Sequence, residues 1–301
     1  MIRRLQEVIS LCDLEQISLH EYFLRTEVEE SASSEQEVLQ HMEQNLSVME
    51  RAALRGIEGV RSRSGMTGGD AKLLAEYLQS GKALSGSIYT RAMVYATAAN
   101  EVNAAMGVIC ATPTAGSCGV LPGVLIALQE KYKLSDEDII PYLFTAGAVG
   151  YVIANNACIA GATGGCQAEV GSASAMSAAA AVEMSGGTPG QAADAMAIAL
   201  TNMLGLSCDP VAGLVEVPCI MRNAAGASNA LTAAWMAMAG VKSRIPWDEV
   251  IEAMYQIGLS MPSALRETAT GGLAATPTGK RWRKEILGDT HGEHTNSETK
   301  P

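Results

Sequence analysis

Small residues dominate the apolar stretches of this chain and constrain its fold more than any other feature. Ala and Gly together make up about a quarter of the 301 residues, whereas aromatic residues make up only 4%. Small side chains in that quantity favour helices that pack closely and leave little exposed surface. Alternating strand patterns are scarce, and the sequence has no strand–helix–strand rhythm and no internal repeat. It therefore predicts an all-α fold with a large buried core.

Apolar residues at helical spacing predict a series of helices separated by polar loops. Ser135-Asp-Glu-Asp138 has the cap residue and the early acids of a helix start. The helix that follows, from Ile139 to about Ala154, is apolar nearly all round and is expected to be central. The other predicted helices span residues 35–55, 71–79, 87–109, 120–129, 169–184, 191–204, 224–239 and 247–258.

One domain is expected over residues 1–280, with an N-terminal helical segment, 1–60, packed on the rest. From Arg281 the chain is charged and polar, so residues 281–301 are expected to form a disordered tail. Five loops rich in Gly, Ser and Thr interrupt the helices. Because glycine loses the most conformational entropy on folding, so many such loops suggest a shared function. We expect them to converge on one central polar site.

Charge and cysteine content exclude several classes of protein. The net charge of −11 argues against binding to nucleic acid or to an anionic membrane surface. The most apolar stretch, Tyr142–Ala160, is better interpreted as a buried helix than as a membrane span. Glu7, Asp13 and Glu15 interrupt any secretory signal. Seven cysteines, an odd number, argue against a disulfide framework, so we expect a protein of the reducing cytoplasm.

Three cysteines lie in turn-forming contexts that suit a metal centre. Cys166, Cys208 and Cys219 each stand beside Gly, Pro or Asp. Three thiolates leave one iron of a [4Fe–4S] cluster without a protein ligand, and that iron can bind substrate as a Lewis acid. The spacing alone does not separate such a cluster from ordinary buried thiols. A structural zinc site is disfavoured, because no histidine lies near these cysteines.

Two loops and one arginine are candidates for binding a small anion. Thr112–Ser117 offers hydroxyls and free backbone N–H groups at a helix start, which suit a carboxylate or simply form a capped turn. Arg61–Gly69 has the same character and lacks the phosphate-loop signature. Arg222 is expected to pair with a carboxylate, either that of a substrate or that of Glu216 or Glu169.

Other catalytic classes find little support. Only four histidines are present, which disfavours a Ser–His–Asp or Cys–His hydrolase. Lys280 is the only lysine in the polar Gly/Ser-rich loops, and a pyridoxal-phosphate enzyme needs a lysine in its site to form the Schiff base. The sequence therefore disfavours such an enzyme. No G-x-G-x-x-G run follows a strand, so a dinucleotide fold is not indicated.

Four segments together resemble the iron–sulfur-dependent bacterial L-serine dehydratases. The most specific segment is the run Cys-Asp-Pro-Val…Pro-Cys-Ile-x-Arg-Asn within Ser207–Asn223, and the others are Ser64–Gly69, Ala111–Gly123 and Gly165–Gly171. The resemblance extends over roughly residues 1–280. In length, the sequence resembles the alpha chain of the two-subunit type of this family, in which the beta chain is a separate polypeptide.

This resemblance implies a helical catalytic domain that converts L-serine to pyruvate and ammonia. It implies that Cys166, Cys208 and Cys219 bind a [4Fe–4S] cluster. The residues it implies as substrate ligands are Ser64, Thr67, Thr112, Thr114, Ser117 and Arg222. Asn223 is then expected to orient a ligand, and Glu169 is a candidate base unless the beta chain supplies one. Single-chain members end in a further cysteine that can cap the open iron, and this sequence has none after Cys219. The rival hypotheses are a cluster-dependent lyase acting on another small amino acid such as L-cysteine, and a non-catalytic helical subunit with a structural cluster.

Overall fold

The computed structural model of the chain describes residues 4–83 and 87–288. Within these ranges the elements are helical, and the one β-type feature is an isolated bridge between Cys208 and Arg266. The helices of the described ranges are α1 (Leu5–Glu15), α2 (Leu19–Ser31), α3 (Glu35–Glu58), α4 (Asp70–Gln79), α5 (Ser87–Ala104), α6 (Val120–Tyr132), α7 (Asp136–Asn156), α8 (Gly161–Gly164), α9 (Ser172–Met184), α10 (Pro189–Met203), α11 (Cys219–Met238), α12 (Trp247–Ser260) and α13 (Pro277–Leu287). The prediction of an all-α fold is confirmed.

Helix α9 lies at the centre of the fold because its side chains are small. It consists mostly of Ala and Ser, and every residue in it except Glu183 is buried. Helices α6, α7, α10 and α11 all pack against it. Ala and Gly at helix contacts let backbones approach closely, which is how four neighbours fit around one helix. The abundance of small residues in the sequence is thus concentrated in the core.

The apolar helix predicted from Ile139 lies in α7, between α9 and the N-terminal helices α2 and α3. Ser135 caps it as expected, since its side chain accepts a hydrogen bond from the backbone N of Asp138 and the Asp138 side chain accepts one in return. Most of the apolar stretch from Tyr142 falls within this helix. Across the described residues, no helix has the length and apolarity that crossing a membrane requires.

The N-terminal helices are bound to the core through backbone groups as well as apolar contacts. Helix α1 packs on α10 and α12, α2 on α7, and α3 on α5. The Asp248 carboxylate accepts hydrogen bonds from the backbone N of Leu5 at 2.8 Å and of Gln6 at 3.1 Å. The Glu183 carboxylate likewise accepts one from the backbone N of Leu19 at 2.9 Å. Each carboxylate satisfies N–H groups that a helix start leaves without an intrahelical partner.

Several helix boundaries differ from the predicted ones, three of them beside the predicted polar loops. Helix α5 ends at Ala104, not at 109, because Met106 takes a left-handed φ of 61° and turns the chain. A single π-helical turn occupies Gln167–Gly171, so α9 begins at Ser172 instead of 169. Helix α11 begins at Cys219, five residues before its predicted start. The last two differences both concern the segments that carry the candidate cysteines.

The C-terminal region corrects the expectation of a polar tail from Arg281. Residues 281–287 belong to α13, which begins with the Thr276 side chain accepting a hydrogen bond from the backbone N of Gly279 and with Pro277 in its first turn. The helix packs against short turns at Val211–Gly213 and Gly272–Ala275. Its charged residues form the solvent side of an amphipathic helix, a pattern that is hard to distinguish from a polar tail over so short a length. Residues 289–301 lie outside the described ranges.

Close packing of α3 on α5 yields a stability prediction. A Cβ atom on Gly56 would lie 2.3 Å from the backbone O of Ala98 and 2.6 Å from its Cα. We expect Gly56→Ala to lower the free energy of unfolding by about 3 kcal/mol, because overpacking forces the two helices apart. Denaturant unfolding followed by circular dichroism measures this difference. Gly190→Ala is the control, since its nearest neighbour is Thr188 Oγ1 at 4.0 Å. Equal stability of the two variants would contradict the prediction.

Candidate active site

The three candidate cysteines lie together, on three different segments. Cys166 directly precedes the π-helical turn, Cys208 lies in the loop after α10, and Cys219 is the first residue of α11. All three are free and buried. Burial raises the pKa of Cys166 to about 11, an effect that the positive charge of Arg222 opposes. Burial also raises the pKa of Cys208 and Cys219. The charge of Glu169 and the thiolates of Cys166 and Cys219 add to the rise in the pKa of Cys208, and the Cys166 thiolate and Glu169 add to the rise in that of Cys219. The thiols are therefore within electrostatic reach of one another.

Glu169 lies beside this group of thiols. Its Oε1 atom accepts a hydrogen bond from Thr114 Oγ1 at 2.7 Å, and its Oε2 atom accepts a weaker one from Cys208 Sγ at 3.8 Å. Burial raises the pKa of the carboxyl, and the hydrogen bond from Thr114 opposes that rise. A Cβ atom on Gly161 would lie 2.6 Å from Glu169 Oε2 and 3.0 Å from Cys208 Sγ. Glycine at this position thus lets the backbone of residue 161 approach the carboxylate and the thiol closely, where any side chain would collide with them.

The loop that carries Thr112, Thr114 and Ser117 folds onto this carboxylate. The Thr114 and Ser117 hydroxyls are 3.1 Å apart, and Ser117 Oγ donates to the backbone O of Thr112 at 3.1 Å. Thr112 Oγ1 is buried and has no hydrogen-bond partner among the described residues. Of these three predicted substrate ligands, Thr114 and Ser117 therefore form hydrogen bonds within the protein. The Thr112 hydroxyl forms none there and is available to a substrate.

Asn223 ties the same loop to α11. Its Nδ2 atom donates to the backbone O atoms of Gly116 and Cys219, both at 2.8 Å, and its Oδ1 atom accepts from the backbone N of Gly119 at 2.9 Å. The side chain is completely buried. With both ends of the amide occupied by backbone groups, Asn223 positions the loop relative to Cys219.

Ser64 and Thr67 surround a carboxylate that belongs to the protein. Both hydroxyls donate to Glu216 Oε2, each at 2.8 Å. Glu216 is buried just before α11, with 5% of its surface exposed. The sequence predicted an anion-binding loop here, and the anion that this structure places in it is Glu216.

Arg222 pairs with Asp209, which is neither of the two protein partners predicted for it. Its Nη2 atom donates to Asp209 Oδ1 at 2.8 Å, and its Nη1 atom donates to the backbone O of Ser207 at 2.6 Å. Asp209 Oδ2 also accepts a hydrogen bond from the backbone N of Leu273 at 2.7 Å. Asp209 is a residue that the sequence analysis missed. An acidic residue between Cys208 and a proline was the available signal.

The last of the five predicted polar loops, residues 266–280, also reaches the site, although the sequence indicated no role for its individual residues. The backbone N of Cys208 donates to the O of Leu265 at 2.8 Å, and the N of Glu267 donates to the O of Cys208 at 2.7 Å. These two bonds place Arg266 in a parallel bridge opposite Cys208. The negative charge of Glu267 contributes to the raised pKa values of Glu169 and Cys208. Residues 265–267 therefore form one side of the site.

The donor atoms suit a sulfur-ligated group better than a single ion. Across residues 4–83 and 87–288, no group of three or more His, Cys, Asp or Glu side chains is arranged to hold a metal ion. Several metal atoms in one centre spread their thiolate ligands more widely than a single ion does. Three free, buried thiols from three segments provide the sulfur ligands for such a centre.

The comparisons with known proteins point to one family. Residues 14–274 match the family model described as "Serine dehydratase alpha chain". The chain is 60% identical over 292 residues to the "Probable L-serine dehydratase, alpha chain" of Bacillus subtilis, and the match covers 97% of each chain. It is 44% identical over 288 residues to the "L-serine dehydratase, alpha chain" of Peptoniphilus asaccharolyticus, with 95% of this chain and 99% of that one covered.

A further relative is longer than this chain. The "L-serine dehydratase" of Haemophilus influenzae is 38% identical over 277 residues, and the match covers 89% of this chain but 60% of that protein. The match therefore leaves a large part of that relative uncovered.

The buried ion pair of Arg222 and Asp209 yields a second prediction. We expect Asp209→Ala to lower the free energy of unfolding by about 3 kcal/mol, because it leaves a largely buried guanidinium without its counter-charge. Urea unfolding of the purified protein measures the loss. Glu15→Ala is the control, because Glu15 pairs with Arg25 at 3.2 Å on the surface and such pairs contribute at most about 1 kcal/mol. Similar losses in both variants would contradict the prediction.

Proposed function

We propose that this chain, which belongs to the serine dehydratase alpha chain family, converts L-serine to pyruvate and ammonia together with a separate beta chain. The printed names of the Bacillus and Peptoniphilus relatives support this activity. The single observation that carries it is the contact of Glu169 with Cys208, one of three buried free thiols. It brings a candidate base next to a candidate ligand of the cluster.

The reaction requires two kinds of assistance. The α-hydrogen of L-serine is weakly acidic, and its β-hydroxyl is a poor leaving group. A base that takes the α-proton and a Lewis acid that binds the departing hydroxyl address these two difficulties. Loss of water then gives an aminoacrylate, which tautomerises to an imine and hydrolyses to pyruvate and ammonia without further help from the protein.

Glu169 is the proposed base. Thr114 Oγ1 donates to its Oε1 atom at 2.7 Å, and its Oε2 atom lies beside Cys208 Sγ and Gly161. A carboxylate held by one oxygen is positioned without being fully neutralised, so its other oxygen remains available to a proton. The Arg222 guanidinium does not compete for Glu169, because Asp209 and the backbone O of Ser207 engage it.

Cys166, Cys208 and Cys219 are the proposed ligands of a [4Fe–4S] cluster. A bound cluster with one iron free of protein ligands supplies the Lewis acid that this elimination needs. The three thiols are buried and have no disulfide partners. As thiolates they repel one another, and the positive charge of bound iron offsets this repulsion. Free thiols throughout the chain also suit the reducing cytoplasm.

A separate beta chain is the proposed partner. Two of the relatives are named as alpha chains, and the match with the longer Haemophilus relative covers 60% of that protein. We infer that the beta chain provides what the longer relative carries in one polypeptide.

The experiment that tests the function is anaerobic co-expression with a candidate beta chain. We expect a brown complex that contains iron and sulfide and forms pyruvate from L-serine faster than it acts on L-cysteine. Cys208→Ala is expected to abolish both the iron content and the turnover, because a cluster held by three thiolates loses a ligand.

Cys118→Ala is the matched control. Cys118 is equally buried, but its Sγ atom contacts Asn100 Nδ2 and the backbone O of Ala99. This variant should retain iron and pyruvate formation. A faster reaction with L-cysteine would overturn the proposed substrate, and full turnover by Cys208→Ala would overturn the ligand assignment.

The role of Glu169 gives another prediction. We expect Glu169→Gln to lower kcat by about 10²- to 10⁴-fold, the usual contribution of a general base, while the iron content stays at the wild-type level. Pyruvate release and iron quantitation on the same preparation measure the two quantities. Glu183→Gln is the control, since Glu183 lies at the C-terminal end of α9 and accepts a hydrogen bond from the backbone N of Leu19, whereas Cys166 lies before the start of that helix. Wild-type kcat in Glu169→Gln would assign the base to the partner chain.

A further inference from the structure

The groups expected to bind the substrate carboxylate are largely occupied by the protein itself. Ser64 and Thr67 both donate to Glu216. The Arg222 guanidinium donates to Asp209 and to the backbone O of Ser207. A carboxylate ligand at either place would have to displace a buried protein carboxylate that already accepts these hydrogen bonds. A cation with no such partner is therefore the better candidate.

Arg266 is held in place next to Cys208. Two backbone hydrogen bonds bracket it, one from the N of Cys208 to the O of Leu265 and one from the N of Glu267 to the O of Cys208. The segment that follows is fixed by Asp209, which accepts from the backbone N of Leu273. A Cβ atom on Gly272 would lie 2.3 Å from Asp209 Oδ2, so this approach is close. The backbone around Arg266 is thus fixed relative to the thiols.

The Arg266 guanidinium has no partner in the part of the chain that the structure describes. Its Nε atom is buried and makes no hydrogen bond, and none of the ion pairs of the described residues includes it. A buried donor without an acceptor destabilises a protein by about 1–3 kcal/mol, and more when it is charged. A planar guanidinium offers parallel N–H groups that match the two oxygens of a carboxylate.

We propose that Arg266 binds the carboxylate of L-serine. This inference rests on the proposed function. Arg266 and Glu169 both adjoin Cys208, one beside its backbone and the other beside its Sγ atom. In L-serine the carboxylate and the α-hydrogen are attached to the same carbon. A cation for the first and a base for the second are therefore needed at one place, and Cys208 is the residue that pairs with the backbone of Arg266 and contacts the side chain of Glu169.

The test compares Arg266→Gln and Arg266→Lys with the wild-type holoenzyme, using L-serine and L-serine amide as substrates. We expect Arg266→Gln to raise the KM for L-serine by about 10- to 100-fold, the range for a hydrogen bond to a charged group. The iron content and the assembly with the beta chain should stay unchanged. Arg266→Lys retains the positive charge but not the two parallel N–H groups of the guanidinium, so it should raise the KM by a smaller factor. It also serves if Arg266→Gln does not fold.

L-Serine amide distinguishes a contact with the carboxylate from a structural effect. Its neutral amide cannot form the ion pair, so the wild-type preference for L-serine in kcat/KM should collapse in Arg266→Gln. Arg281→Gln is the control, because Arg281 is exposed and pairs with Glu285 on α13, and it should keep the wild-type KM and preference.

The outcomes separate this inference from the proposed function. Absence of pyruvate formation by the wild-type holoenzyme contradicts the function before any variant is made. If the wild type is active, an unchanged KM in both Arg266 variants overturns the inference. Loss of iron or of the beta chain together with the rise in KM also overturns it, because Arg266 would then support the cluster loop or bind the partner chain.

Discussion

The Asp209 carboxylate joins the separate segments of the site. One oxygen accepts from Arg222 on α11, and the other accepts from the backbone N of Leu273 near the C-terminus. Asp209 follows Cys208 directly, so these bonds fix the cysteine loop between a helix start and the C-terminal segment. A buried carboxylate is tolerated only when its charge and lone pairs are satisfied, and here one arginine and one amide do so. The position of Cys208 relative to Cys219 and Arg266 depends on this arrangement.

Close helix packing sets the remaining distances in the site. A Cβ atom on Gly119 would lie 2.0 Å from the backbone O of Ala96, and one on Gly123 would lie 2.7 Å from that of Ala92. Helix α6 therefore contacts α5 nearly backbone to backbone, and the loop before α6 is drawn down onto Asn223 and Glu169. Larger residues at these contacts would move the loop by the width of a side chain. The small residues that fix the fold also bring the hydroxyl groups of Thr114 and its neighbours to the carboxylate.

The sequence predicted the helices well where local chemistry decides them. Ser135 and the acids after it begin α7, and Trp247 begins α12, because caps and apolar spacing act within one helix. It failed where tertiary contacts decide the backbone. The π-helical turn at Gln167–Gly171 depends on neighbours such as the backbone O of Leu206, which accepts from the N of Gln167. Likewise the loop pattern identified Ser64 as a donor, but its acceptor, Glu216, lies 152 positions away in the sequence.

The degree to which polar groups are satisfied separates positioning residues from binding residues. Asn223 has all its hydrogen-bonding partners within the protein, and Arg222 has a carboxylate and a carbonyl, so these side chains hold the segments together. Thr112 Oγ1 and Arg266 Nε are buried and have no partner among the described residues. Buried polar groups are rarely left unpaired, so a ligand or an ordered water is expected to complete these two. The residues of the polar loops can thus be divided into positioning residues, whose polar atoms the protein satisfies, and binding residues, whose polar atoms it leaves without a partner. The sequence shows the donors but not their partners, so it does not allow this division.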